Sequence, residues 1–204
     1  MGSLFTIAAA SGSGKTSLVK GLTETLKRIQ VSISHTTRPA REGENNGDHY
    51  FFVSKQQFLN MIGMNEFLEH AEVFGHYYGT SKSWVEETLE QGIDVILEID
   101  WQGASQIRKQ FPYSTSIFIL PPSIQILRER LLNRRQDSLD IIEQRLSAAS
   151  TEISHCKEFD YLVINGDFDH ALSDLRAIIK SKRLESGMQL KRHSKLLEDL
   201  AQNQ

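Results

Sequence analysis

The sequence predicts a three-layer α/β fold in which a parallel sheet, flanked by helices, carries a phosphate-binding loop. A mixed α/β insertion and an arginine-rich helical segment interrupt this core. Three observations predict it. Apolar, β-branched runs ("LFTI", "IDVILEID", "STSIFIL", "YLVIN") alternate with segments of helical spacing, the pattern of parallel strands joined by crossover helices. The glycine-rich stretch "AAASGSGKTS" follows the first of those runs directly. From about residue 33 to 83 the texture changes to turn-rich, short-strand sequence that does not continue a parallel sheet.

Residues 4–9 read as a buried strand, and after the loop "KTSLVKGLTETLKRI" has helical spacing through Leu18, Leu22, Leu26 and Ile29. "VSIS" is a short second strand. Inside the insertion, "RPAREGENNGDHYFFV" is turn-rich and ends strand-like. A short helix over about 55–63 and a strand-like "EFLEHAEVF" complete it. "SKSWVEETLEQG" returns to a helix ending at Gly92, a C′ glycine. "IDVILEID" is a central strand, "QGASQIRKQF" a helix, and "STSIFIL" another buried strand. Helical runs 123–134 and 138–155 contain "RERLLNRRQD". "YLVIN" is a last strand, and "DHALSDLRAIIKSKRL" a helix leading to an amphipathic tail. Leu196, Leu197 and Leu200 in that tail have helical spacing, for packing on the chain's own core or on a second subunit as a homo-oligomer.

The 204 residues include 23 Lys and Arg against 26 Asp and Glu, a net charge of −3, so the surface is no general polyanion trap and nucleic acid is not an expected partner. Any basic site is local. The single cysteine, Cys156, allows no intrachain disulfide and points to a reducing, cytoplasmic setting. His155 precedes it, yet neighbours in sequence point different ways on a helix, which favours a small packing residue over a thiol nucleophile. Scattered histidines argue against zinc. No apolar stretch reaches the length of a bilayer span, and no membrane partner is expected. "MGSLFT" fits the loose myristoylation pattern, but "LFTIAA" has to serve as the first strand, leaving no free arm to present Gly2.

Four constellations can carry chemistry. Backbone N–H groups from Gly12 to Thr16 can wrap an oligophosphate at a helix N-terminus. Lys15 would reach the phosphates, and the Thr16 hydroxyl would ligate Mg²⁺. Ala9 stands where that pattern opens with glycine, tolerable where φ stays negative. Glu98 and Asp100, two apart at the C-terminal end of a strand, sit where open α/β sheets bind ligands and could hold a Mg²⁺-bound water. Alone, they would read as a solvated strand end. In the insertion, Ser34, Arg38, Arg41 and tyrosines 50, 77 and 78 suit a phosphate monoester, or else form an exposed loop with ordinary arginines. Glu69, among apolar neighbours, could accept from both the N1–H and the 2-amino group of guanine, whereas adenine offers an acceptor at N1. The fourth is the run Arg128, Arg130, Arg134, Arg135 with Arg145: a solvated helix face, or arginines that close over a phosphoryl donor.

Together "SGSGKTS", "VSISHTTRPAREGE", "GDHYFFV", "FLEHAEVFGHYYGTS", "LEIDWQGA", "IFILPPS", "QRLSAA" and "DYLVIN" resemble the guanylate kinase family over nearly the whole chain. The resemblance implies transfer of phosphate from ATP, with Mg²⁺, to GMP and also dGMP. It implies a core (1–32, 84–124, 150–204 with the C-terminal helices), a GMP-binding region (33–83) and a lid (125–149). Its ATP site falls on Ala10, Ser11, Gly12, Ser13, Gly14, Lys15, Thr16 and Ser17. Its GMP phosphate contacts fall on Ser34, Arg38, Arg41, Tyr50 and Tyr78, and its guanine contacts on Glu69, Thr80 and Asp100. Lys15, Arg38, Arg134 and Arg145 take the catalytic places, and Asn165 is a candidate beside adenine. Three positions depart from the family. Ala9-Ala10 replaces a common Gly-Pro, Glu98 a common aspartate, and Thr80 a frequent serine. Two rivals remain: a kinase for another small acceptor, separated by Glu69 and Thr80, and a binding module of the same fold, in which the phosphate loop would be degraded.

Overall fold

The computed structural model describes residues 1–133 and 139–202. Strands β1 (Leu4–Ala9), β2 (Ile29–Val31), β7 (Asp94–Glu98), β8 (Thr115–Leu120) and β9 (Tyr161–Ile164) form a parallel sheet in the order β2-β7-β1-β8-β9. Side chains alternate across it. Phe5, Ile7, Ile96, Ile117, Ile119 and Val163 face helices α1 (Lys15–Thr25) and α7 (Phe168–Arg183), meeting Leu18, Leu22, Leu172 and Leu175. Leu4, Ala8, Val95, Leu97 and Phe118 face α3 (Lys82–Glu90) and α4 (Trp101–Gln110), meeting Val85, Leu89, Ala104 and Ile107. Burial on both faces of β1, β7 and β8 explains why those three read as unbroken apolar runs.

The insertion builds a second sheet in the order β4-β3-β6-β5, from β3 (His35–Thr36), β4 (Phe51–Phe52), β5 (Phe67–Val73) and β6 (His76–Ser81). Helix α2 (Lys55–Gly63) opens with a capping box, Ser54 and Gln57 each satisfying the other's backbone N–H. Gly79 has no room for a side chain, because a Cβ would meet Phe58 and Phe67 at 2.9 Å. Helices α5 (Ile124–Asn133) and α6 (Leu139–Ser154) pack through Leu127, Leu131, Ile142 and Ala149. The tail forms α8 (Ser186–Arg192) and α9 (Ser194–Gln202). Leu196, Leu197 and Leu200 stay exposed there, so the tail does not bury its apolar face on its own core. Among the described residues no helix is long and apolar enough to cross a membrane.

Three local expectations change. The second strand is Ile29–Val31, paired with Asp94–Ile96, and does not run through "VSIS". The first helix stops at Thr25 rather than running to Ile29, because Leu26 turns extended and Arg28 adopts φ +59, with its guanidinium on the carbonyls of Gln91 and Gly92. Ile29 satisfies helical spacing and strand burial equally, and pairing with Asp94 in the sheet decides for the strand. β6 was not expected as a strand. It pairs antiparallel with β5 around the turn Phe74–Gly75, where both residues have positive φ (+51 and +77). Gly92 does hold the left-handed position (φ +73) that ends α3, and Cys156 packs against the apolar cluster under α4. The Gly2 N–H donates to the Leu89 carbonyl at 2.6 Å, anchoring the segment ahead of β1.

One buried carboxylate ties three elements together. Asp94, 2% exposed at the start of β7, accepts from the Ser3 N–H at 2.7 Å and from Arg183 Nε, in the last turn of α7, at 2.6 Å. Asp94→Ala should leave Arg183 Nε and the Ser3 amide without their acceptor and destabilise the fold by about 3 kcal/mol, read from urea unfolding midpoints.

Candidate active site

Parallel pairing puts the C-terminal ends of β1 and β7 side by side, and the site grows from that edge. Beyond Ala9 the chain turns through residues 10–14 and enters α1 at Lys15. Gly12 and Gly14 have φ of +91 and +90, conformations that L side chains rarely adopt. Ala9 keeps a negative φ, since only Arg28, Asn65 and Phe74 among the described non-glycine residues have positive values; this meets the condition for alanine there. Beyond β7, Asp100 caps α4 by accepting from the Gly103 N–H at 2.9 Å, and its second oxygen accepts from Gln102 at 3.0 Å.

A cleft of about 300 Å³ lies between this edge and the second sheet. It gathers Ala10, Ser11, Gly12, Gly14, Lys15 and Thr16 from the loop, and Ser34, Arg41, Tyr50, Glu69 and Tyr78 from the insertion. Glu98 and Asp100 come from the core, and Arg145 from α6. Lys15 Nζ donates to the Ile99 carbonyl at 3.3 Å, and the Thr16 hydroxyl to Glu98 at 3.3 Å.

Other expected residues sit elsewhere. Thr80 is fully buried and donates to Glu69 Oε1 at 2.6 Å, so it holds the carboxylate from behind. Arg38 is drawn to Glu44 at 2.8 Å and lies 5.3 Å from the centre of the Tyr50 ring. Ser13 is buried beneath the loop. Ser17 and Asn165 border a separate recess with Arg130, Asn133 and Phe168, where Asn165 Nδ2 donates to the Ser13 carbonyl at 2.7 Å. The arginine run divides as well. Arg128 pairs with Glu143, Arg130 donates to the Asn165 carbonyl, and Arg145 borders the cleft. Arg134 and Arg135 lie outside the described residues.

Glu69 is the least comfortable group in the site. At 3% exposure, burial pushes its pKa up to about 7, with the negative charge of Asp100 adding to the shift; Thr80 and Lys15 oppose it. The native group holds its proton to about 7 while the unfolded one releases it near 4.5, so this site costs stability as pH rises through that interval. A buried carboxyl with this tension is suited to a ligand that brings its own N–H donors.

The guanylate kinase family profile matches residues 1–182. A guanylate kinase of Hahella chejuensis is 56% identical over 188 residues, covering 92% of this chain and 90% of that one. One of Saccharophagus degradans is 55% identical over 199 residues, covering 98% and 97%. The crystal structure of guanylate kinase from Anaplasma phagocytophilum superposes with a TM-score of 0.77 at 33% identity, covering 91% of this chain and 88% of that one. The chain belongs to the guanylate kinase family. Membership makes it an ATP:GMP phosphotransferase, a nucleotide-binding kinase.

Sequence reasoning missed two carboxylates at this family site. Glu44 holds Arg38 and also accepts from the Arg41 N–H at 2.8 Å; its pKa is lowered chiefly by the Arg38 hydrogen bond. Glu152, in the last turn of α6, borders the cleft and accepts from the Ser11 N–H at 3.2 Å. The spacing of Arg38, Arg41 and Glu44 within one turn-rich stretch was a usable signal for the first. Glu152 had none, since its partner lies 141 residues away.

Gly103 sets how closely α4 approaches Glu69, because a Cβ there would stand 2.4 Å from Glu69 Oε2. Gly103→Ala should displace that carboxylate and raise KM for GMP roughly tenfold with little change in KM for ATP, in steady-state assays with each substrate varied in turn.

Proposed function

We propose that the chain transfers the γ-phosphoryl group of ATP directly to the phosphate of GMP, giving GDP and ADP, with Mg²⁺. The carrying observation is the buried Glu69 carboxyl facing the same cleft as Lys15. Guanine offers Glu69 two N–H donors, with Asp100 alongside and Thr80 holding the carboxylate from behind. Ser34, Arg41, Tyr50 and Tyr78 then face the acceptor phosphate, joined by Arg38 from its resting place on Glu44. These contacts engage base and phosphate only, so the reading extends to dGMP. In this reading residues 33–83 form the acceptor region, 125–149 the lid, and 1–32, 84–124 and 150–204 the core.

The acceptor needs no strong base, since its second pKa is near 6 and it is substantially ionised at pH 7. One of its oxygens attacks the γ-phosphorus, and the bond to the bridging oxygen of ADP breaks. The obstacle is bringing two anions together, and positive charge removes it. Loop N–H groups from Gly12 to Thr16 with Lys15 hold the donor, while Arg145 approaches the transferred group; Arg134, the other arginine expected in that role, lies outside the described residues. The recess beside Asn165 and Arg130 suits the nucleoside end of ATP, opening as it does on the other side of the loop. The Thr16 hydroxyl and Glu98 carboxylate, 3.3 Å apart, are oxygen donors of the kind Mg²⁺ takes together with substrate phosphates, so the residues fit the ion. When bound there, Mg²⁺ neutralises phosphate charge. The single cysteine, Cys156, fits a cytoplasmic setting.

The test offers GMP, dGMP, AMP, UMP and dTMP separately with ATP and Mg²⁺ and measures ADP. Turnover confined to the guanine nucleotides supports the reading. Another acceptor would keep the kinase and overturn the base assignment, and binding of GMP without turnover would make this a binding module. Lys15→Met should abolish turnover while thermal unfolding stays at the wild-type temperature. A folded variant that keeps most of its activity would remove Lys15 from the mechanism.

Glu69 must be ionised to accept both guanine N–H groups. Below its pKa of about 7 binding has to release a proton, so GMP affinity should fall toward tenfold per pH unit and level off above 7. Calorimetric titrations from pH 5.5 to 8.5 check this. Glu69→Gln should bind more weakly and lose that component, keeping only the titration of the GMP phosphate itself. A wild-type profile that matches the variant's would remove Glu69 as the base reader.

A further inference from the structure

The phosphate loop rests on the helix pair that carries Arg145. Ala10 is buried among Leu127 and Leu131 of α5 and Ile142 and Ala149 of α6. Gly12 abuts the same two leucines, and a Cβ on it would meet each of them at 3.0 Å. Between these apolar supports, the Ser11 N–H donates to Glu152 Oε2 at 3.2 Å. Arg145 and Glu152 are seven residues apart, two helical turns, and so share the face of α6 that borders the cleft.

A carboxylate in that position is costly. Burial disfavours its charge and Asp100 adds to the penalty, while the Ser11 amide and the Lys15 ammonium offset it. It also stands at the rim of a site for polyanions. An apolar side chain beside Ile153 would pack the same space without either cost, so the polar link itself is what the residue supplies.

We propose that Glu152 is a positioning residue: by holding the Ser11 peptide it fixes the phosphate loop in register with the helix that bears Arg145. The proposal rests on the kinase reading, in which the loop holds the donor phosphates. Ser11 lies four residues before Lys15 in a loop that turns twice through left-handed glycines. Rotation of its peptide therefore re-aims the N–H groups that follow. The acceptor side of the cleft, built on the second sheet, is untouched by this link.

The test uses the full chain with Glu152→Ala, Glu152→Asp and Glu152→Gln, measured by steady-state kinetics, calorimetric ATP binding and thermal unfolding. Ala removes the acceptor, Asp keeps the charge but falls short, and Gln keeps an acceptor oxygen at the same reach. Losing one hydrogen bond to a charged group should raise KM and Kd for ATP roughly tenfold in the Ala and Asp variants, and lower kcat, while KM for GMP stays within about twofold. Gln should recover most of the ATP affinity. An unchanged ATP KM in Glu152→Asp, a GMP KM that moves as far as that for ATP, or a Gln variant as impaired as Asp would each overturn the proposal. If Glu152→Ala fails to fold, the Asp and Gln pair still decides. Wild-type protein without GMP-dependent turnover would sink the kinase reading, whereas active wild type with silent variants would sink only the role of Glu152.

Discussion

The register of β1 between β7 and β8 is the constraint on which the site depends. Ile7 stands opposite Glu98, and Ala9 opposite Ile119, so the first strand outruns β7 by about two residues before it turns. That offset sets the loop directly over Ile99, whose carbonyl receives Lys15, and brings Thr16 to Glu98. A slip of one residue would exchange Phe5 and Ile7 with Leu4, Thr6 and Ala8 between the two helical layers. The apolar packing of both faces, which touches no ligand, therefore fixes the position of the glycine-rich loop.

The electrostatics of the cleft follow from that placement. A chain of net charge −3 cannot attract nucleotides by its overall field. It concentrates Lys15, Arg41 and Arg145 around one cleft instead, and restrains the carboxylates that share it. Asp100 is spent on the N-terminus of α4, Glu98 receives Thr16, Glu152 receives the Ser11 amide, and Glu69 receives Thr80. Of these, Glu69 is the most deeply buried, the condition under which a carboxyl gains most from a ligand with paired donors.

How much of this was legible in the sequence follows from the range of each interaction. Strands buried on both faces announce themselves as apolar runs, and the tight turn into α1 as closely spaced glycines, because both signals are local. Glu69 was legible for the opposite reason, as a charge where the pattern demands an apolar residue. The end of α1 was not, since Ile29 fits a helix stripe and a strand equally and only the contact with Asp94 separates them. β6 was hidden by "HYYGTS", whose polar and glycine residues belong to a sheet packed on α2 and α3 rather than to the central core. The resting place of Arg38 on Glu44, and the separation of Arg128 and Arg130 from Arg145, depend on partners that no spacing rule brings together.

The two halves of the site are joined through α4. Its first turn is capped by Asp100 at the cleft, Gly103 in that turn leaves room for Glu69, and Gln106 one turn later bridges the backbone of His70, donating to its carbonyl at 2.7 Å and accepting from its N–H at 3.2 Å. The amide of Gln106 thus stands in for a neighbouring strand beside β5, next to the residue whose carboxyl reaches the cleft. The same helix buries Ala104 and Ile107 against the parallel sheet. A displacement of the second sheet against this helix would strip both hydrogen bonds from His70 and move Glu69 off its glycine. The position of Glu69 relative to the parallel sheet is therefore set through one helix, by the two hydrogen bonds to His70 and by the space that Gly103 leaves.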